Sequence, residues 1–506
     1  MRFTDSIFSA PWAGMRRATS PYISLGSRIL LLAFVSGLNV ATAPAQIPNR
    51  VAAKVPDSST ARNDRGKSTA PSLSDREWLR EIETRVDEVD LRLSNLALQY
   101  QLIRDSLALA ERTRSRVVSG ENGFALQSAN KAYQLRLSGY LQVDDRAYLS
   151  QAGTPAKSAL LLRRARPIIE VTLHDRFGLR LMTDFGEGKV VLYDGYSEAR
   201  LWPAFVIRAG KFKPPIGLER LQSAGDLRFV ERGLPTNLVP NRDVGVQLSG
   251  EVAGGVLFYQ IGAFNGVPDL GVGDTDSQNS KDLIGRIFLS PFRYARPALF
   301  QNLGFGIAAS SGNELGSLTL PALATYRTPG QVALFQYRAD GTAANTVIAA
   351  GRRVRISPQS YLNVGALGLL AEFVRSSQYV SRAASAAHLS HDAWQVAGSW
   401  LATGEKNSYK SVTPRRSFDP SAGAWGAVEI TGRYGSLDLD SAAFPIYADP
   451  AVAARSARTV GVGISWYLAS TIKFVADYDR TQFVGGGVGG NRAPERFVST
   501  RFQTGF

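Results

Sequence analysis

The stretch YQLRLSGYLQVD (133–144) decides the reading of the chain. Its odd positions, Tyr133, Leu135, Leu137, Gly139, Leu141 and Val143, are apolar or small. Its even positions, Gln134, Arg136, Ser138, Tyr140, Gln142 and Asp144, are mostly polar. One apolar and one polar face is what a strand between lipid and water requires. The alternation returns in Leu162–His174 and 177–184, then at 192–201, 205–212, 244–251, 256–264, 281–289 and 303–310. It continues at 353–365, 367–375, 393–402, 425–434, 459–468, 471–480 and 496–506. About 24 residues per strand and connector predicts an all-β transmembrane barrel of about 16 antiparallel strands, wide enough to enclose water. A soluble sandwich or propeller would have to bury the alternating charges in its core. The chain ends FVSTRFQTGF (497–506), with Phe506, Phe502 and Val498 on one face. That terminal aromatic strand resembles the signal read by outer-membrane assembly machinery.

Upstream, residues 1–45 have the form of an export signal. Arg16, Arg17 and Arg28 precede an apolar run from Ile29 to Val35, and Ala43-Pro44-Ala45 offers a cleavage pattern. Residues 46–74 read as a polar flexible linker. Residues 75–116 change to a helical period, with Leu79, Ile82, Val86, Val89, Leu93, Leu96, Tyr100, Ile103, Leu107 and Ala110 at spacings of three and four. A heptad sustained this long predicts an N-terminal α-helical coiled coil, the alternative being one helix packed on another domain. Residues 120–506 then form the barrel domain.

The net charge of +15 comes from basic residues scattered along the chain, so a nucleic-acid partner is not expected. No cysteine and three histidines leave little for a metal site, and no cofactor is expected. His388 and His391 are expected in an exposed hairpin loop. Gly485-x-Gly487-x-x-Gly490 is expected between barrel strands, not as a dinucleotide fingerprint. An enzyme reading has no motif to support it.

One segment breaks the succession of strands, KFKPPIGLERLQSAGDLRFVERGLPTNLVPNRD (211–243). Pro214, Pro215, Pro235 and Pro240 keep it from extending as strand or long helix. Ile216, Leu218, Leu221, Leu227, Phe229, Val230, Leu234 and Leu238 give it a packing surface of its own. The expected role is a loop folded into the barrel mouth; a loop resting on the rim is the alternative. Its cations Lys211, Lys213, Arg220, Arg228, Arg232 and Arg242 are the candidate anion-binding constriction. Strand parity turns Arg136, Arg164, Arg166, Arg180 and Arg208 toward the lumen, and inward cations outnumber inward anions. Such a wall favours anions.

The segments GKFKPPIGLERLQSAGDLRFVERGLPTNLVPNRDVGVQLSG (210–250), GAFNGVPD (262–269), WQVAGSWLATGE (394–405), VTPRRSFDP (412–420) and GISWYL (463–468) resemble the phosphate-selective porin O and P family. The resemblance implies a homotrimeric 16-stranded barrel in outer-membrane lipid, with its third loop lining the constriction and inorganic phosphate or other small anions as solutes. In the family the Gly-Leu-Glu of that loop is followed by a basic residue of the central site. Here Gly217-Leu218-Glu219 is followed by Arg220. The stretch 376–391, where the family's further central lysines are expected, contains no lysine. Three functions follow: an anion-preferring porin for phosphate, polyphosphate or similar oxyanions, a general diffusion porin, or an envelope tether acting through the coiled coil.

Overall fold

A computed structural model describes residues 73–120, 123–150, 157–276, 279–296 and 298–506. The expected export signal and nearly all of the linker lie outside them. The chain divides into a helical unit ending at Leu107 and a barrel unit from Ala108 to Phe506.

Helix α1 (Leu73–Thr113) closely matches the predicted 75–116. Good helix formers fill it, and Glu81–Arg85 and Glu88–Arg92 pair one turn apart at 3.0 and 2.6 Å. Its heptad residues are exposed in the single chain, Leu93 and Leu96 by 59% and 67%. The helix ends before a small hairpin, Arg116–Gly120 against Gly123–Gln127.

Sixteen antiparallel strands close the barrel. They are β1 (Tyr133–Tyr148), β2 (Ala159–Leu173), β3 (Phe177–Asp184), β4 (Val191–Trp202), β5 (Phe205–Phe212), β6 (Asp243–Val252), β7 (Leu257–Phe264) and β8 (Asp282–Leu289). The other half comprises β9 (Leu303–Leu315), β10 (Ile348–Val364), β11 (Leu367–Arg382), β12 (Ser385–Leu401), β13 (Ala427–Asp438), β14 (Ala454–Tyr467), β15 (Ile472–Gly487) and β16 (Glu495–Gly505). Phe502 of β16 lies opposite Val143 of β1, which joins the last strand to the first and leaves no sheet edge. Each strand overlaps a segment predicted from period two.

The strands run longer than predicted at one end. β11 and β12 extend to Arg382 and from Ser385, where a loop was expected. His388 and His391 therefore belong to a strand, and His391 is buried, which corrects the expected exposed loop. Its ring contacts the Tyr337 hydroxyl at 2.8 Å and accepts from the Asp440 N–H at 3.1 Å. The alternation is hidden there because residues such as Ser376, Ser377, Ser390 and His391 put polar groups on both faces.

Connections at the end near Phe506 are mostly short, as at Asp175 and Gly365; those at the opposite end are mostly longer, the two-residue turn between β11 and β12 being an exception. Residues 213–242 fold into the lumen, and Ile216, Leu218, Leu234 and Leu238 are fully buried. A second connection, 316–347, forms a hairpin from Tyr326–Arg327 and Ala333–Phe335. Its Tyr326, Leu334 and Phe335 share one apolar cluster with Leu234, Leu238 and Val239. The interior is thus partly filled by protein rather than left as an open cylinder.

Candidate functional site

The inward loop starts where Pro214 and Pro215 end the ladder of β5. Gly217 turns the chain at φ 81°, a conformation open to glycine, and a Cβ there would meet Val239 at 3.0 Å. A single helical turn, Leu218–Leu221, and a 3-10 segment, Leu234–Leu238, give the loop its internal order. Gly233 packs against Gln395 of β12 so tightly that a Cβ would fall 1.8 Å from its side-chain oxygen. Its N–H donates to Glu219 Oε2 at 2.8 Å, and Gln395 Nε2 donates to the same oxygen at 2.9 Å.

Cations on the wall hold the loop. Glu231 faces Arg163 at 2.5 Å, Arg146 at 3.1 Å, Arg164 at 3.3 Å and Arg501 at 3.6 Å. Arg501 of β16 forms two bonds to Asp144, at 2.6 and 2.7 Å, and donates a third to the Val230 carbonyl at 2.6 Å. Arg433 of β13 does likewise with Asp479 and donates to the Glu231 carbonyl at 2.6 Å. Such two-pronged guanidinium contacts fix geometry as well as charge.

From the short-turn end a further connection, 402–426, reaches the same loop. Arg228 donates to Asn407 Oδ1 at 2.5 Å and to the Ser408 carbonyl at 2.8 Å, and pairs with Glu429 at 3.2 Å. Gln222 Nε2 donates to the Tyr409 carbonyl at 2.7 Å, and the Tyr409 hydroxyl donates to the Leu218 carbonyl.

Beside the loop lies a cavity of about 590 Å³ between it and the inner face of β1–β5, with contributions from β7, β8 and both ends. Thirteen cationic side chains line it against four anionic ones. Arg136, Arg164, Arg166, Arg180 and Arg208 are among them, together with Lys213, Arg220, Arg232 and Arg242. Lys211 and Arg228 are not: Lys211 pairs with Asp274 at 2.5 Å, and Arg228 is taken up by the 402–426 contact. Phe506 stands at one end of the cavity, half exposed, its ring 6.4 Å from that of Phe124.

Several of the lining arginines carry a carboxylate partner. Arg166 pairs with Asp184 at 2.7 Å, Arg208 with Glu198 at 2.6 Å, and Arg242 with Asp194 at 2.7 Å. Arg180 bridges Glu170 and Asp194. Arg136 makes no ion pair among the described residues. Lys213 Nζ donates to the carbonyls of Leu221 and Gln222 at 3.1 and 2.6 Å. Arg232 likewise donates to the carbonyls of Glu219 and Gln222, at 3.2 and 2.7 Å.

Arg220 is buried and donates from Nη2 to the Thr236 carbonyl at 2.8 Å, while its Nε–H has no hydrogen-bond partner among the described residues. Burial, reinforced by Arg232 and Arg242, pushes its guanidinium down to about 9, so it stays charged at neutral pH. A buried cation with a spare donor is stabilised by an arriving anion.

Sequence reading missed Arg163, Arg327 and Lys410 in this lining. Parity turns Arg163 outward, but a bulge opposite Gln142 and Val143 leaves it out of the ladder with β1 and lets it swing in. Arg327 and Lys410 arrive on connections whose inward course no local pattern reveals.

Residues 135–482 match the family model described as phosphate-selective porin O and P. No curated protein matches the sequence. Among solved structures the chain is similar to OmpT, an outer membrane protein of Vibrio cholerae, at 11% identity and TM-score 0.46, covering 74% of this chain and 98% of that one. It is similar to the outer membrane channel DcaP of Acinetobacter baumannii at 12% identity and TM-score 0.46, covering 77% and 99%. The anion-selective porin from Comamonas acidovorans gives 10% identity and TM-score 0.46, covering 74% and 100%.

Proposed function

The chain belongs to the phosphate-selective porin O and P family, and from that premise we propose that this outer-membrane channel passes phosphate, polyphosphate or similar oxyanions by passive diffusion. The observation that carries the reading is the sign of the cavity wall, thirteen cationic side chains against four anionic. Charges of one sign around a passage with low-dielectric walls focus the field along it and raise the local concentration of counter-ions. The carboxylates paired with Arg166, Arg180, Arg208 and Arg242 temper this field. They also hold the guanidinium planes in place, so an anion meets oriented donors rather than loose side chains.

The solute's last step is at the inward loop. Arg220 offers a spare N–H beside the charges of Arg232 and Arg242. An oxyanion entering there exchanges part of its hydration shell for charge-assisted hydrogen bonds. Three such barrels form the working unit, with α1 from each chain meeting in a periplasmic coiled coil.

The test is the reversal potential of the purified full-length protein in planar bilayers under a potassium chloride gradient at low salt. Anion preference is expected, fading at molar salt, where the Debye length falls to about 3 Å. Cation preference at neutral pH would overturn the reading.

A further inference from the structure

The outward face of the last strands carries charge where a lipid-facing wall is otherwise apolar. Arg480 of β15 and Arg496 of β16 stand directly opposite each other in the ladder. Both are exposed, while their chain neighbours Asp479, Thr481, Glu495 and Phe497 are buried, so both arginines point out of the barrel. On the next strand Arg458 of β14, also outward, lies one diagonal step from Arg480, whose direct partner there is Val460. Like charges directly opposite in a sheet are destabilising unless an anion sits between them.

The described residues do not supply that anion. Among the described residues none of the three arginines makes an ion pair or hydrogen bond through its side chain. On the flanking strands the outward carboxylates are Asp438, which accepts from the Ser436 hydroxyl at 2.9 Å and lies opposite Ser456, and Asp145 of β1, which lies opposite Thr500, four residues along β16 from Arg496.

Position along the strand supplies the rest. Toward the chain end the same face is mainly apolar and aromatic, with Val460, Val462 and Ile464 on β14, Phe474 and Tyr478 on β15, and Val498, Phe502 and Phe506 on β16, where Thr500 and Thr504 interrupt it. From Phe506 up to Arg496 a tilted strand climbs about 25 Å along the membrane normal, the height of the apolar band of such barrels. The arginines therefore sit at the headgroup level of the leaflet on the long-loop side. In a barrel whose chain ends are periplasmic that is the outer leaflet.

We propose that Arg458, Arg480 and Arg496 form an outward-facing site for the phosphates of the glycolipid in the outer leaflet, with its acyl chains lying along the apolar stripe below. A phosphate bridging Arg480 and Arg496 removes their repulsion and gains charge-assisted hydrogen bonds from both. The site lies outside the channel and does not depend on which solute the channel carries.

The experiment is native mass spectrometry of the full-length protein in detergent with bis-phosphorylated lipid A as probe. The parent and the triple variant Arg458→Gln, Arg480→Gln, Arg496→Gln are compared, with the corresponding triple Lys variant as a charge-retaining control. The parent should retain the lipid, the Gln variant should bind at least tenfold more weakly, and the Lys variant should recover part of the loss. Unchanged chloride conductance in all three shows that the barrel is folded. Equal retention by parent and Gln variant overturns the proposal, as does equal binding of dephosphorylated lipid A. Loss of oligomer mass in the Gln variant without loss of lipid assigns the cluster to a subunit contact instead. Displacement of the lipid by millimolar inorganic phosphate would make it a site for free anions.

Discussion

Arg163 of β2 donates from Nε to Glu231 of the inward loop at 2.5 Å, from a bulge that leaves it out of the ladder with β1. The contact joins the loop that narrows the lumen to the wall that gives the lumen its charge. Arg146, Arg164 and Arg501 converge on the same carboxylate. Without Glu231 these guanidiniums would repel one another, so one loop carboxylate both docks the loop and quiets the wall. On the proposed function, constriction and selectivity are coupled through it.

Glu231→Gln should undock the loop. Removing one partner of a buried ion pair costs about 3–5 kcal/mol, because the remaining charges are left uncompensated. Single-channel records should show larger, noisier conductance, while the sixteen-strand ladder keeps the heat-resistant band on gels. A conductance histogram identical to the parent's would show that the loop is held by other contacts.

The same carboxylate sets an expectation for pH. Burial alone would raise the Glu231 carboxyl, but Arg163, Arg164 and Arg501 hold it well below the usual carboxylate range. A group with a depressed folded pKa adds stability above its unfolded value, about 4.3 for Glu, and loses it as pH falls through the folded value. The loop should stay docked from neutral pH to about pH 4.3 and release only in stronger acid. Conductance stepped through pH 7 to 3 measures this; release between pH 5 and 7 would implicate another group.

Tyr409→Phe tests the support from the short-turn end. The lost hydroxyl leaves the Leu218 carbonyl without its donor, at a cost of about 1–3 kcal/mol if the carbonyl stays buried. Hydrogen exchange across 213–242 should speed up by tenfold or more, with the strands unaffected. Unchanged exchange would mean that connection 402–426 only rests against the loop.

The barrel was legible because its signal is local. Lipid on one side and water on the other impose period two on each strand, as in Tyr133–Tyr148. Where both faces meet polar surroundings the constraint lapses, and the far ends of β11 and β12 read as loop. The inward loop was legible from its prolines and its unpaired apolar residues. Its partners were not. The Glu231 cluster joins residues from β1, β2 and β16, and Arg163 reaches it through a bulge that parity cannot anticipate. Nothing local marks 316–347 and 402–426 as turning inward, since the buried Tyr326 and Phe335 and the partly buried Tyr409 would serve equally in surface loops.

The helix makes a separate prediction. Leu93→Asp with Leu96→Asp places two charges on the exposed heptad stripe of α1. If three copies of that stripe meet, the variant should lose helical signal from this segment while the barrel stays heat-resistant. Crosslinking of the detergent-extracted parent should reach trimer. A ladder stopping at dimer would overturn the stoichiometry.

Arg220 carries the last prediction. Its Nη2 is committed to the Thr236 carbonyl at 2.8 Å, and its Nε–H is buried beside the cavity with no partner among the described residues. If that N–H serves the passing oxyanion, Arg220→Ala removes a charge-assisted hydrogen bond of about 1.5–3 kcal/mol. Phosphate block of chloride current should then weaken by roughly tenfold to a hundredfold, at 1.4 kcal/mol per decade. Arg220→Lys keeps the charge but replaces the planar fork with a compact ammonium, so block should return only in part. A residue that merely ties the loop together behaves differently. Losing the Thr236 contact would then disorder the 3-10 segment Leu234–Leu238 and give a noisy, unselective pore, with Arg220→Lys restoring quiet conductance but not the block. Phosphate block in a quiet Arg220→Ala channel equal to the parent's would remove Arg220 from the site.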